Sequence, residues 1–179
     1  MKEKTLVHNV VYDGKIIQVD VDEVELCDGS TSKREVVHNN GGVCVLALDE
    51  NEQVILVKQY RYPSDEILYE LAGGKQETGE SYIESGLREL VEETGYVSDD
   101  CEYLGYLYPT VAYSTEVIHM VLARKCVYKQ KCLDTGEFAD TIILPMDNIL
   151  EMIDNNEIKD GKTIVAVLKY LQFNRKKKL

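Results

Sequence analysis

The sequence has no apolar run approaching the roughly 20 residues that cross a bilayer, and its start, MKEKTLVHNV, has no apolar leader segment. A membrane helix and an export signal are therefore not expected, and the chain reads as a soluble protein of the cytoplasm. Paired cysteines are lacking too. Cys27, Cys44, Cys101, Cys126 and Cys132 are odd in number and contain no C-x-x-C. That pattern suits free thiols in a reducing compartment better than a disulfide framework or a zinc site. The three histidines, His8, His38 and His119, are scattered without ligand spacing, so ordinary structural roles are expected for them. Positive charge is also scarce: 20 Lys and Arg stand against 32 Asp and Glu, a net charge of −12. No extended basic surface can form to neutralise phosphates, which argues against nucleic acid as a partner. The one basic cluster, residues 175–178, reads as a solvated end that complements the preceding helix dipole.

What remains is a chain of 179 residues, 44% hydrophobic, long enough for one domain with a substantial core and a small additional lobe. It contains no repeats and no low-complexity segment. Residues 74–96, GKQETGESYIESGLRELVEETGY, stand out as a glycine-containing loop feeding a helix. Thr78, Gly79, Glu80 and Ser81 can open that helix and Gly95 can close it. At about 100° per residue, Ile83, Leu87, Leu90, Val91 and Thr94 gather on one side, and Glu89, Glu92 and Glu93 are expected opposite them. Carboxylates three and four residues apart repel by a few tenths of a kcal/mol per pair, and Arg88 alone is not expected to neutralise them all. An acidic helix face is most often a solvated face. The alternative is a divalent cation such as magnesium, which takes oxygen ligands and then engages phosphates.

The full spacing favours the second reading. Gly74, Glu80, Arg88-Glu89-Leu90, Glu92-Glu93 and Gly95 fall where a Nudix box has a glycine, five residues, a glutamate, seven residues, then Arg-Glu-aliphatic-x-Glu-Glu-x-Gly. Only the last aliphatic position departs, to Tyr96. The sequence thus resembles a Nudix hydrolase, and specifically the ADP-ribose pyrophosphatase-like group. The resemblance implies an α/β fold, a Nudix-type α/β/α sandwich with a mixed sheet, and Mg2+, with Mn2+ as a substitute, held by Glu89, Glu92, Glu93 and the Gly73 carbonyl. It implies catalytic roles for Glu92, for Arg88 as the residue that fixes a box carboxylate, and for Glu137 as general base, with Asp134 the runner-up in the same loop. It implies substrate contacts from Arg61, in the context KQYRYP, and from Glu70 and Glu116. Expected products from ADP-ribose are AMP and ribose 5-phosphate. Val111 stands where that group usually carries proline, with Pro109 two residues earlier. Another nucleoside diphosphate sugar or nucleotide therefore stays open, as does a non-catalytic nucleotide sensor or a purely structural acidic domain.

Turn signals at Asp13-Gly14 and Asp28-Gly29-Ser30 divide the N-terminal segment into a three-stranded antiparallel piece. A bulge is expected near Asp22, because Ile17, Val19, Val21, Val24 and Leu26 do not keep one alternation. So small a sheet cannot bury both faces alone. It is therefore expected to pack on a partner subunit, and the resemblance implies that residues 1–39 form a lobe that pairs two subunits and covers substrate, with residues 40–179 the hydrolase domain. In the latter, VCVLALD and VILVKQYR read as a central hairpin, EILYELAGG as a strand leading to the box, and CEYLGYLYP, STEVIHMVLARKCVY and TIILP as further strands. MDNILEMIDN and DGKTIVAVLKYLQF read as covering helices.

Overall fold

The structure is a computed structural model that describes residues 1–130 and 139–177. The chain divides into two compact units, one made of Met1–Gly41 with Tyr108–Val117, the other of Gly42–Leu107 with Ile118–Leu179.

The first unit holds strands β1 (Lys4–Val7), β2 (Val10–Asp13), β3 (Gln18–Glu25) and β4 (Thr31–His38). The expected three strands are four. β1 and β2 lie end to end along one side of β3, pairing with its second and first halves, while β4 pairs antiparallel along the whole of the other side. The expected break is displaced as well. The β3–β4 register runs unbroken from Gln18↔His38 to Glu25↔Thr31, and the irregularities sit at Thr5/Val7 and Val10/Tyr12. The mixed apolar pattern of β3 thus reflects a change of edge partner at His8 and Asn9 rather than a bulge of its own. The segment 108–117 joins this unit through Val37, whose N–H donates to the Tyr113 carbonyl and whose carbonyl accepts from the Thr115 N–H.

The second unit is built on a mixed sheet, β5 (Gly42–Asp49), β6 (Val54–Arg61), β7 (Glu66–Glu70), β8 (Ala72–Gly74), β9 (Tyr96–Val97), β10 (Asp100–Leu107), β11 (Ile118–Tyr128) and β12 (Ala139–Leu144), with helices α1 (Tyr82–Thr94), α2 (Met146–Asp154) and α3 (Gly161–Lys177). Its central order is β10-β11-β5-β6-β12. β5 and β11 are parallel and the other pairs antiparallel. The segment EILYELAGG is two strands rather than one: β7 pairs with β6, and after Leu71 the chain shifts to pair β8 with β5.

Alternation along β5 and β6 explains the two layers of helix, because successive side chains point to opposite faces. Cys44, Leu46, Leu48, Val54 and Leu56 share one cluster with Ile149, Ile158, Ala166, Val167 and Tyr170 of the C-terminal segment. Val43, Val45, Ala47, Ile55 and Val57 share another with Leu90, against which Ile83 and Leu87 of α1 pack. A strand covered on both faces reads as a continuous apolar run, and each large aliphatic side chain so buried contributes about 1.5–3 kcal/mol. The expected α/β/α sandwich is what this unit forms. Cys27, Cys44, Cys101 and Cys126 are all unpaired thiols, and burial pushes Cys44 and Cys126 up to about 12. Among the described residues no helix is long and apolar enough to cross a membrane.

Candidate active site

Helix α1 begins and ends where its local chemistry dictates. Ser81 is the N-cap: its hydroxyl accepts from the Glu84 N–H, and the Glu84 carboxylate accepts from the Ser81 N–H, a reciprocal capping box. Gly95 closes the helix with φ 78°, a left-handed conformation that a side chain disfavours, and its N–H reaches the Val91 carbonyl.

On the exposed side of α1, Arg88 does more than pair with one box carboxylate. Its Nε and Nη2 donate to Glu80 Oε1 and Oε2 at 3.0 and 3.2 Å, and its Nη1 donates to Glu89 Oε1 and Glu92 Oε2, each at 2.9 Å. Nη2 also donates to the Lys75 carbonyl. One guanidinium thus bridges three carboxylates and ties the preceding loop to the helix. The planar fork of arginine suits this task in a way a lysine point charge does not. The hydrogen bonds to Glu80 are the main cause that raises the Arg88 pKa.

Glu80 is the helix-start residue of the pattern, and Arg88 followed by the Ser85 hydroxyl pulls its carboxyl down to about 2. A group depressed in the folded state contributes stability that is fully present above its unfolded pKa and disappears as pH falls through the folded one. The window is therefore from about pH 4.5 down to about pH 2. We expect urea titrations of the wild type to lose stability more steeply through that window than those of Glu80→Gln, the two curves running parallel above it.

Glu93 departs from the expected face. It is 6% exposed, and its Oε2 accepts the Gly73 N–H at 2.9 Å. The reason lies in the helical angle: residue 93 stands only about 60° round the axis from Leu90, so it borders the apolar stripe rather than opposing it. Glu89 and Glu92 lie farther round, with side chains 14% and 29% exposed. β8 brings the backbone of Gly73 against this edge of α1, held by its pairing with Cys44 of β5. Gly74 follows for a steric reason, since a Cβ there would collide with the Glu89 carboxylate.

The structure thus links Glu89 to Glu92 through Arg88, and Glu93 to the Gly73 backbone at the adjoining edge of α1. In chemical type, carboxylate and backbone carbonyl oxygens are the donors a hard divalent cation takes, and the missing Cβ at Gly74 is what lets Glu89 lie against the loop. Glu137 and Asp134 lie outside the described residues. Glu116 belongs to the first unit, where its N–H donates to the Ser114 hydroxyl, and Val111 in the same segment is 80% exposed.

Arg61 and Glu70 form a pair. Arg61 Nε and Nη2 donate to Glu70 Oε1 and Oε2 at 2.6 and 2.8 Å, and Lys162 of α3 also binds Glu70 Oε2. Glu70 is 1% exposed. Burial pushes its pKa up, but Arg61 and Lys162 outweigh burial and hold it below the ordinary value. The pairing carries into α3: Lys162 reaches Asp160 at 3.0 Å, Asp160 accepts from the Thr163 N–H and hydroxyl, and Thr163 Oγ1 accepts the Leu71 N–H. Lys162 and Asp160 had no local signal, because ninety residues of sequence separate them from Glu70. His119 has the structural role expected of it, stacked on Tyr82 with centroids 3.4 Å apart and bonded to the Tyr103 hydroxyl at 2.7 Å.

Residues 38–166 match the family described as NUDIX domain. The chain belongs to the Nudix family. It is a hydrolase of that family, and its mixed sheet, box helix and C-terminal helices are the Nudix fold. It is 38% identical over 173 residues to the methanol dehydrogenase activator of Bacillus methanolicus, covering 96% of this chain and 93% of that one. It is 34% identical over 174 residues to the ADP-ribose pyrophosphatase of Bacillus subtilis (strain 168), covering 96% and 94%. A solved structure described as an ADP compounds hydrolase superposes with a TM-score of 0.89 over 99% of this Nudix chain and 96% of that one, at 18% identity.

Proposed function

We propose that this Nudix hydrolase cleaves the pyrophosphate bond of a nucleoside diphosphate joined to another moiety, with ADP-ribose as the preferred substrate and AMP and ribose 5-phosphate as products. The observation that carries the reading is the bridging of Glu80, Glu89 and Glu92 by Arg88 on the box helix, with Glu93 accepting the Gly73 N–H at the adjoining edge. The 34% identical relative named ADP-ribose pyrophosphatase supports the choice of substrate. Residues Glu89, Glu92 and Glu93, with the Gly73 carbonyl, would hold Mg2+, for which Mn2+ would substitute. When bound, such an ion neutralises non-bridging phosphate oxygens and lowers the pKa of a coordinated water.

The chain's own residues do the rest. Arg88 holds Glu89 and Glu92 in fixed rotamers, a task of orientation rather than of contact with the reacting atoms. The guanidinium of Arg61, oriented by Glu70, contacts the substrate's anionic part, and Glu116 contacts its far end. Glu137 takes the proton of the attacking water as the water oxygen bonds to phosphorus and the bridging P–O bond breaks. The N-terminal sheet pairs two subunits in a homodimer and covers the substrate, and the enzyme works in the cytoplasm.

The test is a panel of ADP-ribose, other nucleoside diphosphate sugars and free nucleotides, incubated with Mg2+ and with EDTA, products being resolved by chromatography. AMP and ribose 5-phosphate from ADP-ribose in the Mg2+ samples alone is the expected result. Faster cleavage of another diphosphate would reassign the substrate. If every diphosphate stayed intact, the reading would be lost.

A further inference from the structure

The first unit contains a cluster outside the Nudix box. Asp20 and Asp22 are two residues apart on β3 and so share a face of the sheet. The break between β1 and β2 places His8 over them: its Nδ1 lies 2.9 Å from Asp22 Oδ1 and 3.6 Å from Asp20 Oδ2. The donor atoms of these three side chains all lie within 4.8 Å of one another. From β4, His38 Nε2 approaches the same Asp20 Oδ2 at 2.6 Å. Asp20 is 1% exposed. Gln18 Nε2 donates to its Oδ1 at 2.8 Å, but no donor meets its buried Oδ2 with hydrogen-bonding alignment. A buried carboxylate oxygen left so is costly, and here two imidazole nitrogens and a second carboxylate converge on it.

We propose that His8, Asp20 and Asp22 bind a divalent transition metal of the zinc class, with His38 steadying the Asp20 carboxylate. Metal–donor bonds of about 2.0–2.1 Å in tetrahedral geometry set donor atoms about 3.3–3.4 Å apart, and the separations of 2.9 and 3.6 Å bracket that value. Imidazole beside carboxylate selects zinc-like ions over magnesium, which favours oxygen alone. The site differs in kind from the acidic, all-oxygen surface of α1. Tying the edge strands to β3 and β4 through one ion, it would stabilise the N-terminal sheet. The histidines looked scattered in sequence because strand register, not helical or loop spacing, brings them together. The legible trace was the D-x-D alternation of β3 between two histidines.

The test uses the full chain carrying Glu89→Gln and Glu93→Gln, so that the box does not compete for the ion. The protein is stripped with chelator, dialysed against Zn2+ and analysed for bound zinc and for melting temperature. One zinc per chain and a rise on the order of 5 °C are expected. Adding His8→Ala or Asp22→Asn should abolish both. The His8 side chain is 56% exposed, so its removal leaves the sheet folded, as far-UV circular dichroism would register. In the otherwise wild-type chain, His8→Ala should leave the Mg2+ concentration that half-activates hydrolysis unchanged, which separates this site from the box. Absence of zinc from the Glu89→Gln, Glu93→Gln protein overturns the proposal, and so does zinc that persists after both His8→Ala and Asp22→Asn.

Discussion

Glu93→Gln is expected to lower kcat/KM about a thousandfold while circular dichroism and the urea midpoint stay at wild-type values. Several kcal/mol of transition-state stabilisation come from a correctly held metal ion, and each 1.36 kcal/mol is tenfold in rate. Glu93 is buried and accepts the Gly73 N–H. Glutamine has the same shape and retains a carbonyl oxygen for that hydrogen bond, but brings no negative charge. The substitution therefore separates the fold from the chemistry. Steady-state rates on ADP-ribose across Mg2+ concentration provide the check. Near wild-type turnover would refute the assignment of Glu93 as a ligand.

Glu70→Gln is expected to cost about 3 kcal/mol of stability, the scale on which a buried charge pair resists loss of one partner. The substitution leaves Lys162, whose side chain is 19% exposed, without the carboxylate it binds, and loosens Arg61. Arg61 is 42% exposed at its side chain, so water recovers part of its share. For a chain of this size the melting temperature should fall by about 10 °C. If Arg61 contacts substrate, KM should rise more than kcat falls, because the variant disturbs an orienting partner rather than the box. A melting temperature within a degree of wild type would show that the network does not hold α3 to the sheet.

The parts of this molecule that were legible in its sequence are those whose causes are local. Ser81 and Gly95 mark the ends of α1 because caps act within a few residues, and the apolar runs of β5 and β6 report two-sided burial directly. Four strands were read as three because β1 is a four-residue edge strand with no buried side chain. The burial of Glu93, the bridging of three carboxylates by Arg88, and the reach of Lys162 to Glu70 depend on which strand lies beneath which helix. The box pattern located the carboxylates without revealing how they are held. Periodicity alone placed Glu93 on the wrong side, since its angle falls at the margin of the apolar stripe.

The division of β5 between two cores has one more consequence. Its residues 43–48 are at most 2% exposed and alternate between the layer under α1 and the layer under the C-terminal helices. Peeling away either layer would strip water-excluding cover from the same strand, so neither can melt while the other persists. The two halves of the sandwich are thus one cooperative folding unit, and the box helix inherits the stability of helices packed on the opposite face of the sheet.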